Sequence, residues 1–233
     1  MIITNKRLLT IAQYISQNKK NQNIDVIDIG SDHAFLSIQL INQNIANYVL
    51  NVEIATEPME NGISNIKQYC TNPSLIDNVI YGSEKFYQLI NRDFDTVTIS
   101  GLGGNKIAEL VVNYVRLFKK NKHNFNQFIV CMNNKVFYFR KYLFDNLPEL
   151  KIKEETIIEE NGYFYEILIL SKENGIGANN ELTQYFGPIN LKKRTNLFYK
   201  MHNNRKQYIK SHSLDQFNPK LKKELELLYE VIK

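Results

Sequence analysis

The sequence has few cysteines and no long apolar run, and both absences restrict where the protein can work. No run approaches the ~20 apolar residues that span a bilayer, and the first residues show no signal-peptide pattern. The two cysteines, Cys70 and Cys131, and the four histidines form neither zinc-ligand spacing nor a disulfide framework. We therefore expect a cytoplasmic protein in a reducing compartment, with no membrane contact and no bound metal.

The composition is that of an ordinary globular protein, but the charge is unevenly placed. Of 233 residues, 43% are hydrophobic and 23% are charged. Residues 180–233 contain eleven Lys and Arg against five Asp and Glu, whereas the rest of the chain contains eighteen against nineteen. A near-neutral body (residues 1–179) with a basic tail (residues 180–233) predicts a polyanionic partner. We expect a monomer.

Apolar periodicity predicts a helix followed by alternating strands and helices. The predicted strands are 25–29, 48–54, 78–81, 95–100 and 128–132, and the predicted helices are 6–17, 35–43, 59–70, 104–120 and 138–144. Two extended runs follow, 151–160 and 163–170, joined by Asn161-Gly162, which is a strong hairpin signal. An α/β sheet of parallel strands that ends in an antiparallel hairpin resembles the class I methyltransferases.

The chain changes character after the predicted hairpin. Residues 172–180 contain two glycines and predict a linker between a domain at 1–173 and a domain at 180–233. Two helices are predicted in the second domain, one over 189–212 and one that starts with Asn218 as N-cap and Pro219. The second has an apolar stripe at Leu221, Leu225, Leu228 and Ile232. We expect an antiparallel helical hairpin joined by 211–217.

The turn after the first predicted strand contains one glycine, Gly30, followed by Ser31, Asp32 and His33. A dinucleotide site needs the pattern G-x-G-x-x-G, which is absent. Asp32 would repel a diphosphate, but it would tolerate a ligand with a cationic centre, such as the sulfonium of S-adenosylmethionine. The alternative is an ordinary turn in which Asp32 is the N-cap of the next helix.

Polar residues also follow the second and third predicted strands. Glu53 can accept hydrogen bonds from both hydroxyls of a ribose, with Glu57 as the competing acid. Ser83 and Glu84 can meet the amino group of the cofactor adenine, or they form a solvated turn.

The fourth and fifth predicted strands end in a glycine turn and an amide. The turn from Ser100 to Gly104 allows close approach of a ligand, a sharp bend, or both. Asn133 offers a donor and an acceptor to a target adenine, or it is a loop or cap residue. We interpret Cys131 as a buried strand thiol, since no histidine lies nearby in sequence.

Seven cations lie between Gly187 and His212 without one acid among them: Lys192, Lys193, Arg194, Lys200, Arg205, Lys206 and Lys210. Because such cations repel each other along a helix, we interpret them as a phosphate-binding surface. The aromatic residues between them can stack on bases, but we prefer a buried stripe for them.

These motifs together resemble the TrmK family of bacterial tRNA adenine-N1 methyltransferases, which modify the adenine at tRNA position 22. The resemblance rests on the segments 6–8, 28–34, 98–104, 159–162, 165–168 and 186–188. It implies a Rossmann-like methyltransferase sheet, a C-terminal coiled-coil hairpin, S-adenosylmethionine as methyl donor, and tRNA as partner. The chain departs from the family pattern at Phe35, at Ser83-Glu84 and at Cys131-Met132.

The resemblance assigns roles by position. Asp32 and Asn133 are the predicted catalytic residues, and Arg7 joins the seven tail cations as an RNA-binding residue. The predicted cofactor residues are Asp28, Gly30, Ser31, Asp32, His33, Glu53, Ile54, Ser83, Glu84 and Gly101. Two alternatives stay open: methylation of a small molecule or a protein, and RNA binding without catalysis. A nicotinamide oxidoreductase is disfavoured by the missing glycines.

Overall fold

Seven strands form one sheet in the computed structural model, which describes residues 5–17, 24–212 and 218–232. The strands are β1 (Asp25–Ile29), β2 (Tyr48–Glu53), β3 (Ile76–Ile80), β4 (Phe94–Leu102), β5 (Phe125–Met132), β6 (Lys151–Glu160) and β7 (Tyr163–Ser171). The helices are α1 (Lys6–Gln17), α2 (Phe35–Asn42), α3 (Thr56–Tyr69), α4 (Glu84–Leu89), α5 (Gly104–Asn121), α6 (Val136–Asn146), α7 (Glu181–Phe186), α8 (Asn190–Lys193), α9 (Asn196–Ser211) and α10 (Pro219–Val231).

The strand order is β3-β2-β1-β4-β5-β7-β6, with β1 to β5 parallel and β7 inserted antiparallel between β5 and β6. The predicted hairpin is confirmed, with its turn at Asn161 and Gly162, both of which have positive φ. Because β1 lies at the reversal of strand order, the carboxyl ends of β1, β2, β4 and β5 form the edge where α/β proteins bind ligands.

Each face of the sheet is covered by its own group of helices. Side chains of α1, α2 and α3 pack with Val26 in one apolar core, and side chains of α4, α5 and α6 pack with Ile27 in another. These two neighbours in β1 belong to opposite cores because successive strand residues point to opposite faces. Within the described ranges, no helix combines the length and apolar character that a membrane span requires.

The tail departs from its prediction in three places. The single helix predicted over 189–212 is wrong, because Arg194 adopts a left-handed conformation with φ 43° between α8 and α9. Thr195 then starts α9 by accepting a hydrogen bond from Phe198 N–H at 3.2 Å. The short helix α7 was not predicted. The predicted linker is partly held to the sheet, since Ile176 and Ile152 exchange two backbone hydrogen bonds.

A third apolar core joins the tail to the sheet. Ile157 of β6 packs with Phe198 and Ile209 of α9 and with Leu225 and Leu228 of α10. The predicted stripe of α10 therefore faces this core, with Leu221 half-buried at its start. Of the predicted hairpin turn, residues 213–217 lie outside the described residues.

A buried cation fixes the tail against the sheet. Arg140 of α6 is fully buried, its Nε donating to Glu155 of β6 at 3.0 Å and its Nη2 to Glu166 of β7. The other oxygen of Glu155 accepts from the backbone N–H groups of Ile189 at 2.9 Å and Asn190 at 3.2 Å. Burial opposes the charge on Arg140, but the two carboxylates raise its pKa above the ordinary value.

Arg140→Met should lower the free energy of unfolding by about 3–5 kcal/mol, because removing one partner leaves buried charges uncompensated. Chemical denaturation of the full chain measures the change. Lys141→Met, at the exposed next position of α6, is the matched control and should change the value by less than about 0.5 kcal/mol. Equal stability of the two variants would contradict the assignment.

Candidate active site

The carboxyl ends of β1 and β2 meet at Glu53, the last residue of β2. Its Oε1 accepts hydrogen bonds from the Ser31 hydroxyl at 3.1 Å and from the Asp32 backbone N–H. Its Oε2 has no hydrogen-bond partner among the described residues. One carboxylate therefore fixes the first turn and retains an acceptor for a ligand.

The first turn is sharply bent and exposes its polar side chains. Gly30, Asp32 and Ala34 have φ of 72°, 46° and 57°, and the Ala34 N–H bonds Ser31 O at 2.8 Å. The N-cap of α2 is Ala34, so the alternative in which Asp32 caps that helix is wrong. The carboxylate of Asp32 instead lies exposed, with Oδ2 3.6 Å from Nε2 of His33.

Asp28 lies one layer below the turn. It is only 2% exposed, and its carboxylate accepts from Thr98 Oγ1 at 2.7 Å and from Ser37 Oγ at 3.5 Å. Burial raises its pKa to about 6, with the Thr98 hydrogen bond opposing this and the charge of Glu53 adding to it. The prediction that Asp28 contacts the cofactor directly does not fit this burial. Its position suits support of the turn, a role that the sequence alone did not reveal.

The predicted adenine contacts flank the same edge. The Ser83 hydroxyl oxygen caps α4 by accepting from Phe86 N–H at 3.1 Å, which is the structural role of a turn residue. Glu84 follows in the first turn of α4 and is exposed. Ile54 is 74% exposed directly after Glu53, an unusual position for a large apolar side chain. An apolar surface beside an acid with a spare acceptor suits the flat face of a base.

The glycine turn after β4 serves two purposes. Gly101 has φ 80° and open space around its α-carbon, so it supplies the bend. Gly104 is required by close packing, because a β-carbon there would clash with the backbone carbonyl oxygen of Lys135 in the loop after β5. A β-carbon on Gly103 would press on the Asn134 side chain at 3.0 Å. The predicted sharp bend is present, and the close approach seen here is to the neighbouring loop. Close approach of a ligand to this turn stays a prediction.

Asn133 is held in a defined orientation at the end of β5. Its Nδ2 donates to the Gly101 carbonyl at 2.6 Å, and its Oδ1 accepts from Nη1 of Arg7 at 3.3 Å. Arg7 in turn pairs with Glu160, and its guanidinium lies 4.7 Å from the ring centroid of Tyr165. Sequence reasoning placed Arg7 with the RNA-binding residues, but it missed Glu160 and Tyr165, which the fold brings to Arg7 from β6 and β7.

Cys131 is buried within β5, and burial raises the pKa of its thiol to about 12. A protonated, enclosed thiol is a poor nucleophile, which agrees with the interpretation from the sequence. Among the described residues, no three His, Cys, Asp or Glu side chains are placed to hold a metal ion.

The seven tail cations divide into two groups. Lys193, Lys200 and Arg205 form ion pairs with Glu154, Glu159 and Glu224, and Lys206 donates to the Ile232 carbonyl. The exposed cations Lys192, Arg194 and Lys210 have no ion pair within the described part of the chain. The repulsion expected along this segment is therefore relieved in part by acids of β6 and α10.

The donor set at the carboxyl edge fits S-adenosylmethionine. Glu53 retains one acceptor for ribose hydroxyls, and Ile54 offers an exposed apolar surface. The bend at Gly101 has open space beside it, and Asp32 places a negative charge where a sulfonium can be tolerated. The fold and this edge define an α/β methyltransferase of class I.

Comparison with known proteins gives the family. The sequence model of the TrmK family, described as tRNA (adenine(22)-N(1))-methyltransferase, matches residues 26–233. The chain therefore belongs to this family of S-adenosylmethionine-dependent tRNA (adenine-N1) methyltransferases.

Relatives match over almost the whole length. The tRNA (adenine(22)-N(1))-methyltransferase of Bacillus subtilis is 25% identical over 97% of this chain and 96% of its own. The structure of M. capricolum TrmK in complex with S-adenosyl-homocysteine has 25% identity and a TM-score of 0.74, covering 99% of this chain and 95% of its own. The structure of a Streptococcus agalactiae protein of the NADB-Rossmann superfamily has 24% identity and a TM-score of 0.82, covering 100% of this chain and 98% of its own.

Glu53→Gln should weaken binding of S-adenosylmethionine by about 1.5–3 kcal/mol, since it replaces a charged acceptor by a neutral amide of the same shape. Titration calorimetry gives the affinity. Glu57→Gln, four residues away in the first turn of α3, is the control and should bind like the wild type. If Glu53→Gln kept the wild-type affinity for S-adenosylmethionine and Glu57→Gln lost it, Glu57 and not Glu53 would be the acid that binds the cofactor.

Proposed function

We propose that the chain methylates N1 of the adenine at position 22 of tRNA, and that Asn133 holds this base. The observation that carries the proposal is the fixed amide of Asn133 between the Gly101 carbonyl and Arg7. These two contacts use one of its N–H groups and one lone pair of its oxygen. The second N–H and the second lone pair are left for the base.

The amide can recognise adenine without blocking the reacting atom. Oδ1 of Asn133 would accept from the 6-amino group, and Nδ2 would donate to N7, as asparagine does when it pairs with adenine. N1 then keeps its lone pair. Because N1 lies on the pairing edge, the base must be unpaired or flipped out of a helix to reach this edge of the sheet.

The reaction needs positioning more than proton transfer. Neutral adenine carries a lone pair on N1 at pH 7, so no residue has to remove a proton before attack. S-adenosylmethionine, when bound, supplies an electrophilic methyl group on a sulfonium. Glu53 and Ile54 would hold the donor, Asn133 would orient the base, and the exposed carboxylate of Asp32 would stabilise the positive charge of the methylated ring.

Wild-type protein incubated with tRNA and S-adenosylmethionine should produce a single reverse-transcription stop, at the adenine of position 22. Asn133→Ala should lower kcat/KM for tRNA about 100-fold through misplacement of the base. Asn126→Ala, on an exposed residue near the opposite end of β5, should keep wild-type activity. A stop at another nucleotide, or full activity in Asn133→Ala, would contradict the proposal.

We further propose that the tail binds phosphates through its exposed cations that have no ion pair among the described residues. Lys192 and Arg194 are exposed beside the left-handed break between α8 and α9. Phosphate contacts position a nucleic acid and do not depend on its sequence.

Lys192→Glu with Arg194→Glu should weaken tRNA binding and lower the salt dependence by about one unit of slope per lost phosphate contact. A salt series of tRNA affinities measures both effects. The control is the double variant Lys119→Glu with Lys120→Glu, which makes the same change of charge at a different place. Both lysines are exposed in the last turn of α5. If both double variants lose the same affinity and slope, the effect is one of net charge and the tail has no special part in binding.

A further inference from the structure

A cleft of about 890 Å³ lies between α6 and the tail helices α7, α9 and α10. It begins at Asn134 and Lys135, the residues directly after Asn133. Its size is within the range of about 300–1,000 Å³ in which proteins bind small molecules. Glu166 and Arg205 in its lining are held in ion pairs, and none of the residues assigned above to the cofactor or to the target base lines it.

One wall of the cleft is aromatic. Phe137 and Tyr138 of α6 have ring centroids 5.3 Å apart, and Phe137 lies 5.4 Å from Tyr185 of α7. Tyr138 is 44% exposed, so part of its ring is open to a ligand. Exposed rings next to an RNA-modifying site suit stacking with a base.

His202 contributes an unpartnered polar atom to the same cleft. It is 5% exposed and packs between Phe186 and Phe198, with ring centroids 4.8 and 4.5 Å away. Its Nε2 has no hydrogen-bond partner among the described residues, which is costly for a buried polar atom. Burial, and then the charge of Arg140, lower its pKa to about 3, so the ring is neutral at pH 7. A neutral imidazole suits a neutral partner such as a base edge.

The rim of the cleft is cationic. Its three acids are each ion-paired: Glu181 with Lys223, Glu224 with Arg205, and Glu166 with Arg140, which Glu166 shares with Glu155. Three exposed lysines at the rim have no ion pair within the described ranges: Lys135, Lys141 and Lys220. The aromatic rings and the imidazole in the wall could contact a base, and the three rim lysines could contact the phosphate joined to it. This arrangement therefore suits a nucleotide.

We propose that this cleft binds a second nucleotide of the tRNA substrate, adjacent to the methylated adenine, with its base against Tyr138 and His202 and its phosphate on the lysine rim. The proposal rests on the proposed function, because the cleft begins one residue after Asn133. The site would hold the RNA strand on the tail side of the target base and so orient that base.

The test compares tRNA binding and turnover in variants of the full chain. Tyr138→Ala should raise the Kd and KM for tRNA about tenfold through lost stacking, with little change in salt slope and none in S-adenosylmethionine affinity. His202→Phe keeps an aromatic ring and removes the nitrogen, and it should raise the same two constants. Tyr142→Ala is the matched control, because Tyr142 is 47% exposed on the same helix and does not line the cleft.

A separate double variant tests the rim. Lys141→Glu with Lys220→Glu should lower the salt slope by about one unit per lost phosphate contact. The proposal would be overturned if Tyr138→Ala and His202→Phe both bound tRNA as tightly as the wild type and the Tyr142→Ala control. The partner of Nε2 of His202 would then be a water molecule. If the wild type methylates tRNA and the cleft variants keep wild-type tRNA binding and turnover, only the cleft site is refuted. If the wild type leaves tRNA unmethylated, the proposed function is refuted.

Discussion

The buried guanidinium of Arg140 is the interaction on which the rest of this structure depends. It binds carboxylates of β6 and β7 and the backbone carbonyls of Gln184 and Tyr185 at 3.3 and 3.2 Å. Through Glu155 it also fixes the start of α8. Gly187 completes the arrangement, because a β-carbon there would meet both Glu155 and Arg140. One buried charge therefore determines where the tail helices lie, and with them the cleft beside Asn133.

The active-site edge is organised by a second polar network, one layer below the surface. Asp28, Ser37, Asn51 and Thr98 are all buried and hydrogen-bonded to one another under the first turn. Above them, Glu53 holds the turn with one carboxylate oxygen and leaves the other for a ligand. These hydrogen bonds hold the turn in place without a ligand, which suits a reaction that proceeds mainly by positioning.

The fold divides one run of like charges in the tail into cations that are ion-paired within the protein and cations that are exposed. Lys193, Lys200 and Arg205 each find an acid across the packing interface, although no acid lies near them in sequence. Lys192 and Arg194 point outward at the break between α8 and α9. Charge counting identified the basic region as a whole, but it could not separate the cations that hold the tail in place from those that are exposed.

The sequence by itself determined the order of the strands and of the longer helices, the hairpin at Asn161-Gly162, and the acid, glycine and amide near the ends of β2, β4 and β5, because apolar periodicity and turn chemistry are local properties. The short helices α4 and α7 were not predicted. Tertiary structure alone decided the contacts between distant segments. Arg7 meets Asn133 across 126 positions, and Arg140 is buried between two acids that no spacing rule connects to it. The left-handed break at Arg194 was likewise missed, because helical periodicity continues through it.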